Sequence, residues 1–110
     1  MPMETIYTAE RIFTGKDWLE DHAVITSEGL VQRIIPLSSL SSSQQVQQFG
    51  DCLIAPAFID LQIYGAGSRL FAVYPNVEAL KKLVDHCKQG GTAYCLPTVA
   101  TNEKQTLFHC

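Results

Sequence analysis

The chain has 110 residues, 46% hydrophobic and 17% charged, enough for one small domain with a core and too few for two ordinary ones. Eleven Asp and Glu against eight Lys and Arg give a formal net charge of −3, and no basic cluster stands out, which argues against nucleic acid or an anionic membrane as partner. No apolar run approaches the roughly 20 residues that span a bilayer, and Met1–Thr5 has neither the basic start nor the apolar stretch of a secretory signal, so a soluble, cytoplasmic protein is expected.

The first half of the chain reads as short strands joined by polar turns. Ile6–Thr8 and Arg11–Thr14 are extended segments, stopped by Gly15-Lys16-Asp17. Ala23–Thr26 and Leu30–Ile35 are β-branched runs separated by Ser27-Glu28-Gly29, a short hairpin loop with Gly29 suited to the left-handed position of a bulge turn. Pro36 ends the second run. Ser38–Gln48 is rich in Ser and Gln and reads as a solvated loop, with Val46–Phe49 a candidate further strand.

Near residue 52 the pattern changes to strand, helix, strand. Phe58–Tyr64 is an apolar run interrupted by Asp60 and Gln62, and Gly65-Ala66-Gly67-Ser68 breaks it with a turn. Asn76 is a good helix cap. Val77, Leu80, Leu83, Val84 and Cys87 recur at helical spacing, with charged residues between them. Gly90-Gly91 supplies a stop, and Thr92–Leu96 reads as a strand buried on both faces. A strand–helix–strand unit of this kind is expected to be parallel, with a right-handed crossover. Asn102–Gln105 resembles the capped start of another helix. Helices shorter than roughly 12–15 residues are marginal alone, so the chain reads as cut in mid-helix.

The stretch Leu53-Ile54-Ala55-Pro56-Ala57-Phe58-Ile59-Asp60-Leu61-Gln62-Ile63-Tyr64-Gly65 resembles the first barrel strand of the amidohydrolase superfamily, where an apolar pair, a small residue and Pro precede Gly-Phe-Ile-Asp and His-x-His. Within it, Asp60-Leu61-Gln62-Ile63-Tyr64-Gly65, Tyr94-Cys95-Leu96-Pro97-Thr98, Ile12-Phe13-Thr14-Gly15 and the Glu28-Gly29 turn are similar to the N-acetylglucosamine-6-phosphate deacetylases. The resemblance implies an α/β fold with an N-terminal β portion. Residues 1–54 would be strands of a small β-sandwich, and residues 55–110 the first βαβ unit of an incomplete (β/α)8 TIM barrel. It implies a metal-dependent hydrolase that releases acetate from N-acetylglucosamine 6-phosphate in amino-sugar catabolism. The divalent metal, zinc or similar, would be held by a Glu and two His on later strands, with an Asp as general acid/base, and family members are commonly homodimers.

Two departures from the family pattern matter. Ala57 replaces a Gly, so its φ should stay negative. Gln62 and Tyr64 occupy the His-x-His positions, and neither an amide nor a phenol substitutes well for imidazole on zinc. Residues 60, 62 and 64 share one strand face. If that face is the barrel interior, Gln62 and Tyr64 lie near the mouth where barrel chemistry occurs and are candidate substrate-binding groups. The chain alone, lacking metal ligands and acid/base, is expected to be inactive.

Other features carry plainer expectations. Asp60 reads as an anchor for the strand end, Gly65-Ala66-Gly67 as a turn and not a phosphate cradle, and His86 as a solvated residue. Glu20-Asp21 could draw His22 toward its protonated form. Cys52, Cys87, Cys95 and Cys110 show no metal-type spacing with one another or with His22, His86 and His109, and are expected to be reduced and mostly buried. With only about two βα units of a barrel that needs roughly 250 residues, strand edges and apolar faces should stay open and favour association. Two alternatives remain: another amidohydrolase, dihydroorotase-like, against which the Gln62/Tyr64 pair argues, or a non-catalytic small α+β binding module.

Overall fold

The computed structural model describes residues 2–101 and 103–105. The chain forms two compact units, Met1–Pro56 and Ala57–Cys110. It is mostly β-sheet, with one complete α-helix among the described residues.

The first unit is a five-stranded sheet. Strands β1 (Glu4–Phe13), β2 (Trp18–Leu19), β3 (His22–Ser27), β4 (Leu30–Pro36) and β5 (Val46–Ile54) build it in the order β2-β1-β3-β4, with β5 paired to β1. β1 runs antiparallel to β3 through Glu4↔Ser27 to Thr8↔Ala23, and parallel to β5 through Ile6↔Val46 to Ile12↔Ile54. It is one continuous strand where two segments are expected. A register shift between Ala9 and Arg11 absorbs the extra residue, as a bulge does. A second layer of a sandwich is not found among the described residues.

Two further readings are refined here. The candidate strand at Val46–Phe49 forms and runs on to Ile54 as β5, because β1 lies beside it as a parallel partner and supplies hydrogen bonds that local composition does not reveal. The Glu28-Gly29 turn has both residues at positive φ, 52° and 76°, between the paired Ser27 and Leu30. That is a two-residue hairpin turn whose twist matches its strands, and the register shift lies instead between Ile25 and Thr26.

Ile6, Ala23 and Ile25 form the core, with Ile35, Leu40 and Val46 packed against them. At the far end of β1, Phe13 lies 5.0 Å from Trp18, and the Arg11 guanidinium sits 4.7 Å over the same indole. Glu4 and Arg33 form an exposed two-oxygen ion pair at 3.2 Å. His22 Nδ1 contacts the Glu20 backbone carbonyl at 2.6 Å, so the ring is placed by the main chain and not by the neighbouring carboxylates.

The second unit contains β6 (Phe58–Ile63), β7 (Gly65–Ala66), β8 (Arg69–Leu70), α1 (Val77–Gln89) and β9 (Thr92–Pro97). β6 and β9 pair in parallel, with Asp60 opposite Cys95, and α1 packs against β9 and β7. The Asn76 side chain accepts from the Ala79 amide at 2.8 Å, satisfying a free donor of the first turn. Leu83 and Cys87 are buried under the helix, while Val77, first in the expected stripe, is 67% exposed. Gly91, at φ 84°, makes the left-handed exit, and its amide bonds back to Lys88 O at 3.0 Å.

β9 is not buried on both faces. Tyr94 is 73% exposed, because among the described residues α1 is the one element packed against β9 outside its sheet and no layer covers the opposite face. On β6, Phe58, Ile59 and Leu61 are likewise exposed. Ala57 is absent from the residues at positive φ, as its Cβ requires. Lys104 and Gln105 have helical backbone; Asn102 and residues 106–110, including His109 and Cys110, lie outside the described residues.

Candidate functional site

The C-terminal end of β6 gathers the polar groups singled out in the sequence. Gln62 Nε2 donates to the Tyr64 hydroxyl oxygen, so the two side chains stand together on one face, as a period of two requires. The Tyr64 O–H proton is left free to donate to a third group. Asp60 turns toward its own strand, where its Oδ1 accepts from the Gln62 amide at 3.0 Å. That contact fixes the backbone beneath Gln62.

Beyond Tyr64 the Gly-rich segment folds into a hairpin. Gly65 pairs with Leu70 and Ala66 with Arg69, leaving Gly67 and Ser68 as a two-residue turn with φ of 61° at each. Both central residues at positive φ define the turn type that suits a right-twisted hairpin, and Ser68 is unusual there for a residue with a Cβ. Gly65 is required by crowding: a Cβ placed on it would lie 1.9 Å from the Arg69 carbonyl oxygen. The Phe71 amide donates to Tyr64 O at 2.7 Å and closes the hairpin onto β6.

This hairpin and Tyr64 border a shallow, solvent-open hollow of about 400 Å3 lined by Tyr64, Gly65, Ala66, Ser68, Arg69 and Leu70. The Arg69 guanidinium lies 5.0 Å over the Tyr74 ring, a stacking arrangement that holds a cation without a carboxylate. The sequence predicts a turn here but gives Arg69 no particular place in it. The sign that could have found it is Gly-Ser between residues able to pair. A wider hollow of about 760 Å3 in the first unit is lined by Glu4, Arg33 and Ser27 among others. There the charged Glu4 and Arg33 already satisfy each other.

The thiols are less uniform than expected. Cys52 is exposed, Cys87 buried and Cys95 intermediate. Burial pushes the Cys87 thiol above its ordinary range, helped by the adjoining Cys95 thiol and the Asp60 carboxylate. His86 is exposed. Among the described residues no three His, Cys, Asp or Glu side chains gather to hold a metal ion. The divalent metal that the resemblance implies does not fit the donors present here.

Comparison with known proteins bears on the whole of this arrangement. Residues 5–48 match the NagA composite domain. The chain is 29% identical over 96% of its length to an N-acetylgalactosamine-6-phosphate deacetylase of Escherichia coli O157:H7, covering 26% of that protein. It is 30% identical over 82% of its length to the N-acetylglucosamine-6-phosphate deacetylase of Haemophilus influenzae, covering 24% of it. Among solved structures, the N-acetylglucosamine-6-phosphate deacetylase from Pasteurella multocida superposes on 97% of the chain with a TM-score of 0.86, at 23% identity and over 28% of its own length. The enzyme from Mycobacterium smegmatis does so on 94% of the chain with a TM-score of 0.80, at 17% identity. The chain thus spans about a quarter of the curated relatives it matches. The resemblance read from Asp60–Gly65 and Tyr94–Thr98 extends over nearly the whole chain, and the solved structures share its fold.

Proposed function

We propose that this chain serves a metal-dependent, cytoplasmic deacetylase of phosphorylated amino sugars, one that hydrolyses the acetamide of N-acetylglucosamine 6-phosphate to acetate and glucosamine 6-phosphate. The observation that carries this is the similarity, along almost all of the chain, to proteins named as deacetylases of amino-sugar 6-phosphates. In this reading residues 1–54 contribute strands of a small β-sandwich and residues 55–110 open a TIM barrel. The parallel β6–α1–β9 unit supports it, since that is the repeating unit of such a barrel, and so does the uncovered face of β6 and β9, which further strands would bury. A homodimer is part of the same reading.

Gln62 and Tyr64 take the place of metal-ligating imidazoles and act as hydrogen-bonding groups toward the sugar. Their mutual hydrogen bond supports this role: it holds the amide and the phenol in fixed orientations, so that Tyr64 presents a donor and Gln62 keeps its carbonyl oxygen as an acceptor. Asp60, by holding the Gln62 backbone amide, is a positioning residue. The metal, bound by residues elsewhere in the enzyme, would polarise the acetamide carbonyl and activate water.

A chimera tests the reading. This chain replaces the matching N-terminal segment of the Pasteurella multocida deacetylase, and acetate release from N-acetylglucosamine 6-phosphate is measured with the metal content of the purified protein. Release is expected, with at least about a tenfold loss for Gln62→Ala, the scale of a lost hydrogen bond to substrate. A folded, metal-loaded chimera that releases no acetate overturns the proposal. The 110-residue chain alone is expected to release none.

A further inference from the structure

We propose that Cys87 on α1 and Cys95 on β9 form a thiol–disulfide exchange site, whose co-reactant is a small-molecule disulfide and whose closed form ties α1 to the strand it covers. The proposal stands on the second unit alone and does not depend on the deacetylase reading.

The helix and the sheet bring the two thiols together from opposite sides. Leu83 and Cys87 lie one turn apart and are the buried residues of α1, so Cys87 is on the face that the helix turns to the sheet. On β9, Tyr94 and Leu96 are exposed while Cys95 between them is half-buried. Successive strand residues point to opposite faces. Among the described residues α1 is the element packed against β9 outside its sheet, so Cys95 faces the helix. The two thiols are within hydrogen-bonding reach of each other, and both are free.

Access differs between them. Cys95 is reachable from solvent, whereas Cys87 is 6% exposed. Burial raises the Cys87 thiol, helped by Cys95 and by the carboxylate of Asp60, which stands opposite Cys95 on β6. A thiol attacks only as its thiolate, so Cys95 reacts first and Cys87 second. Cys95 loses its proton to solvent and attacks one sulfur of the external disulfide. That S–S bond breaks, and one thiolate leaves and takes up a proton. Capped in this way, Cys95 no longer carries a charge that holds Cys87 protonated. Cys87 then loses its proton to solvent, and its sulfur attacks Cys95 Sγ and expels the second external thiol. Two protein thiols are oxidised to one disulfide, and the external disulfide takes both electrons and leaves as two thiols. In a reducing compartment the pair rests as the dithiol and closes as the supply of disulfide rises, which is the behaviour of a redox-responsive pair and not of a structural one.

The test is incubation of the folded 110-residue chain in mixtures of glutathione and glutathione disulfide, followed by acid quenching, alkylation of the remaining thiols and tryptic mass mapping. Cleavage after Lys82, Lys88 and Lys104 puts the two thiols on separate peptides, 83–88 and 89–104, so a Cys87–Cys95 bond appears as one linked pair. That pair is expected in at least about tenfold excess over any link to Cys52 or Cys110. It should also close at an at least about tenfold lower ratio of disulfide to thiol than in the denatured chain, because the fold holds the thiols together. Cys87→Ser should trap glutathione on Cys95, and Cys95→Ser should leave Cys87 unmodified while the helical signal at 222 nm shows the chain folded. Glutathione held on Cys95 of the native chain with no linked pair overturns the site, and so does a linked pair that forms no more readily than in denaturant. Glutathione on Cys87 of folded Cys95→Ser overturns the order of attack. None of these readings involves acetate release, so the deacetylase reading stands or falls separately.

Discussion

Ile25 in β3 and Leu61 in β6 are both branched aliphatic residues inside a strand, and Ile25 is 0% exposed while Leu61 is 71% exposed. The difference is in what surrounds each strand. β3 has β1 on one edge and β4 on the other, and Leu40 and Val46 close over the core it shares. Among the described residues β6 pairs with β9 alone, and α1 packs against β9 and β7. Two strands and one helix cover at most one side of a sheet, and the remaining apolar side chains stand exposed. Apolar composition therefore does not by itself report burial; the neighbours packed on a strand do.

Truncation gives the sharpest contrast. Ile25→Ala should cost the first unit about 2–5 kcal/mol, the loss of a buried aliphatic side chain plus its cavity. Leu61→Ala in the same chain should change stability by less than about 0.5 kcal/mol, as for other exposed positions. Denaturant melts of the two variants check this, and equal losses would break the comparison. In the chimera, where the helices of the proposed barrel would cover the face of β6 opposite Gln62, Leu61→Ala should cost more than in the isolated chain.

The second expected effect is at Gly65. An alanine Cβ would meet the Arg69 carbonyl at 1.9 Å, and backbone is not a flexible end that can swing aside. Gly65→Ala should therefore open the β7–β8 hairpin at a cost of about 1–3 kcal/mol, the range for overpacking. The same change at Gly67 adds no close contact, so its smaller cost would come from positive φ alone. Amide exchange at Leu70 and Ala66 separates the two variants, and equal protection in both would show that crowding is not what selects Gly65.

What could be read from the sequence divides along the same line. α1 was legible because its signals are local: Asn76 as cap, apolar residues at helical spacing, Gly90-Gly91 as stop. The β3–β4 hairpin was legible for the same reason. β5 was legible only in part: Val46–Phe49 stood out as a candidate strand, while its extension to Ile54 and its pairing with β1 have no local pattern to carry them. The expectation of burial on both faces of β9 was not met: Tyr94 and Leu96 are apolar yet exposed, and no layer covers them among the described residues. At the candidate site, the nearness of Gln62 and Tyr64 followed from the period of a strand. Arg69 stayed hidden because its place depends on a two-residue turn with Ser68 at positive φ, a conformation its side chain disfavours.

A third, smaller effect tests the local side of this division. Asn76→Ala removes the acceptor for the Ala79 amide and should cost the helix about 1 kcal/mol. Asn76→Ser, another good cap, should restore most of it. Loss of helical signal at 222 nm on mild heating checks both, and an unchanged Asn76→Ala helix would mean that packing of Leu83 and Cys87 alone sets where α1 begins.

The smallest expected effect is electrostatic. Glu78 and Lys82 lie one turn apart at 2.9 Å. The Lys82 hydrogen bond and charge, with a lesser contribution from Arg69, hold the Glu78 carboxyl below its ordinary value of 4.5. A carboxyl whose pKa is lower folded than unfolded contributes stability above the unfolded value, and that contribution is lost as pH falls through the folded one. The helical signal of α1 should therefore weaken slightly as pH falls below about 4.5, the ordinary glutamate range. Lys82→Ala should remove most of that dependence, and high salt should flatten it in the native chain, because both side chains are exposed and readily screened. A pH response that survives both would have to come from a carboxylate other than Glu78.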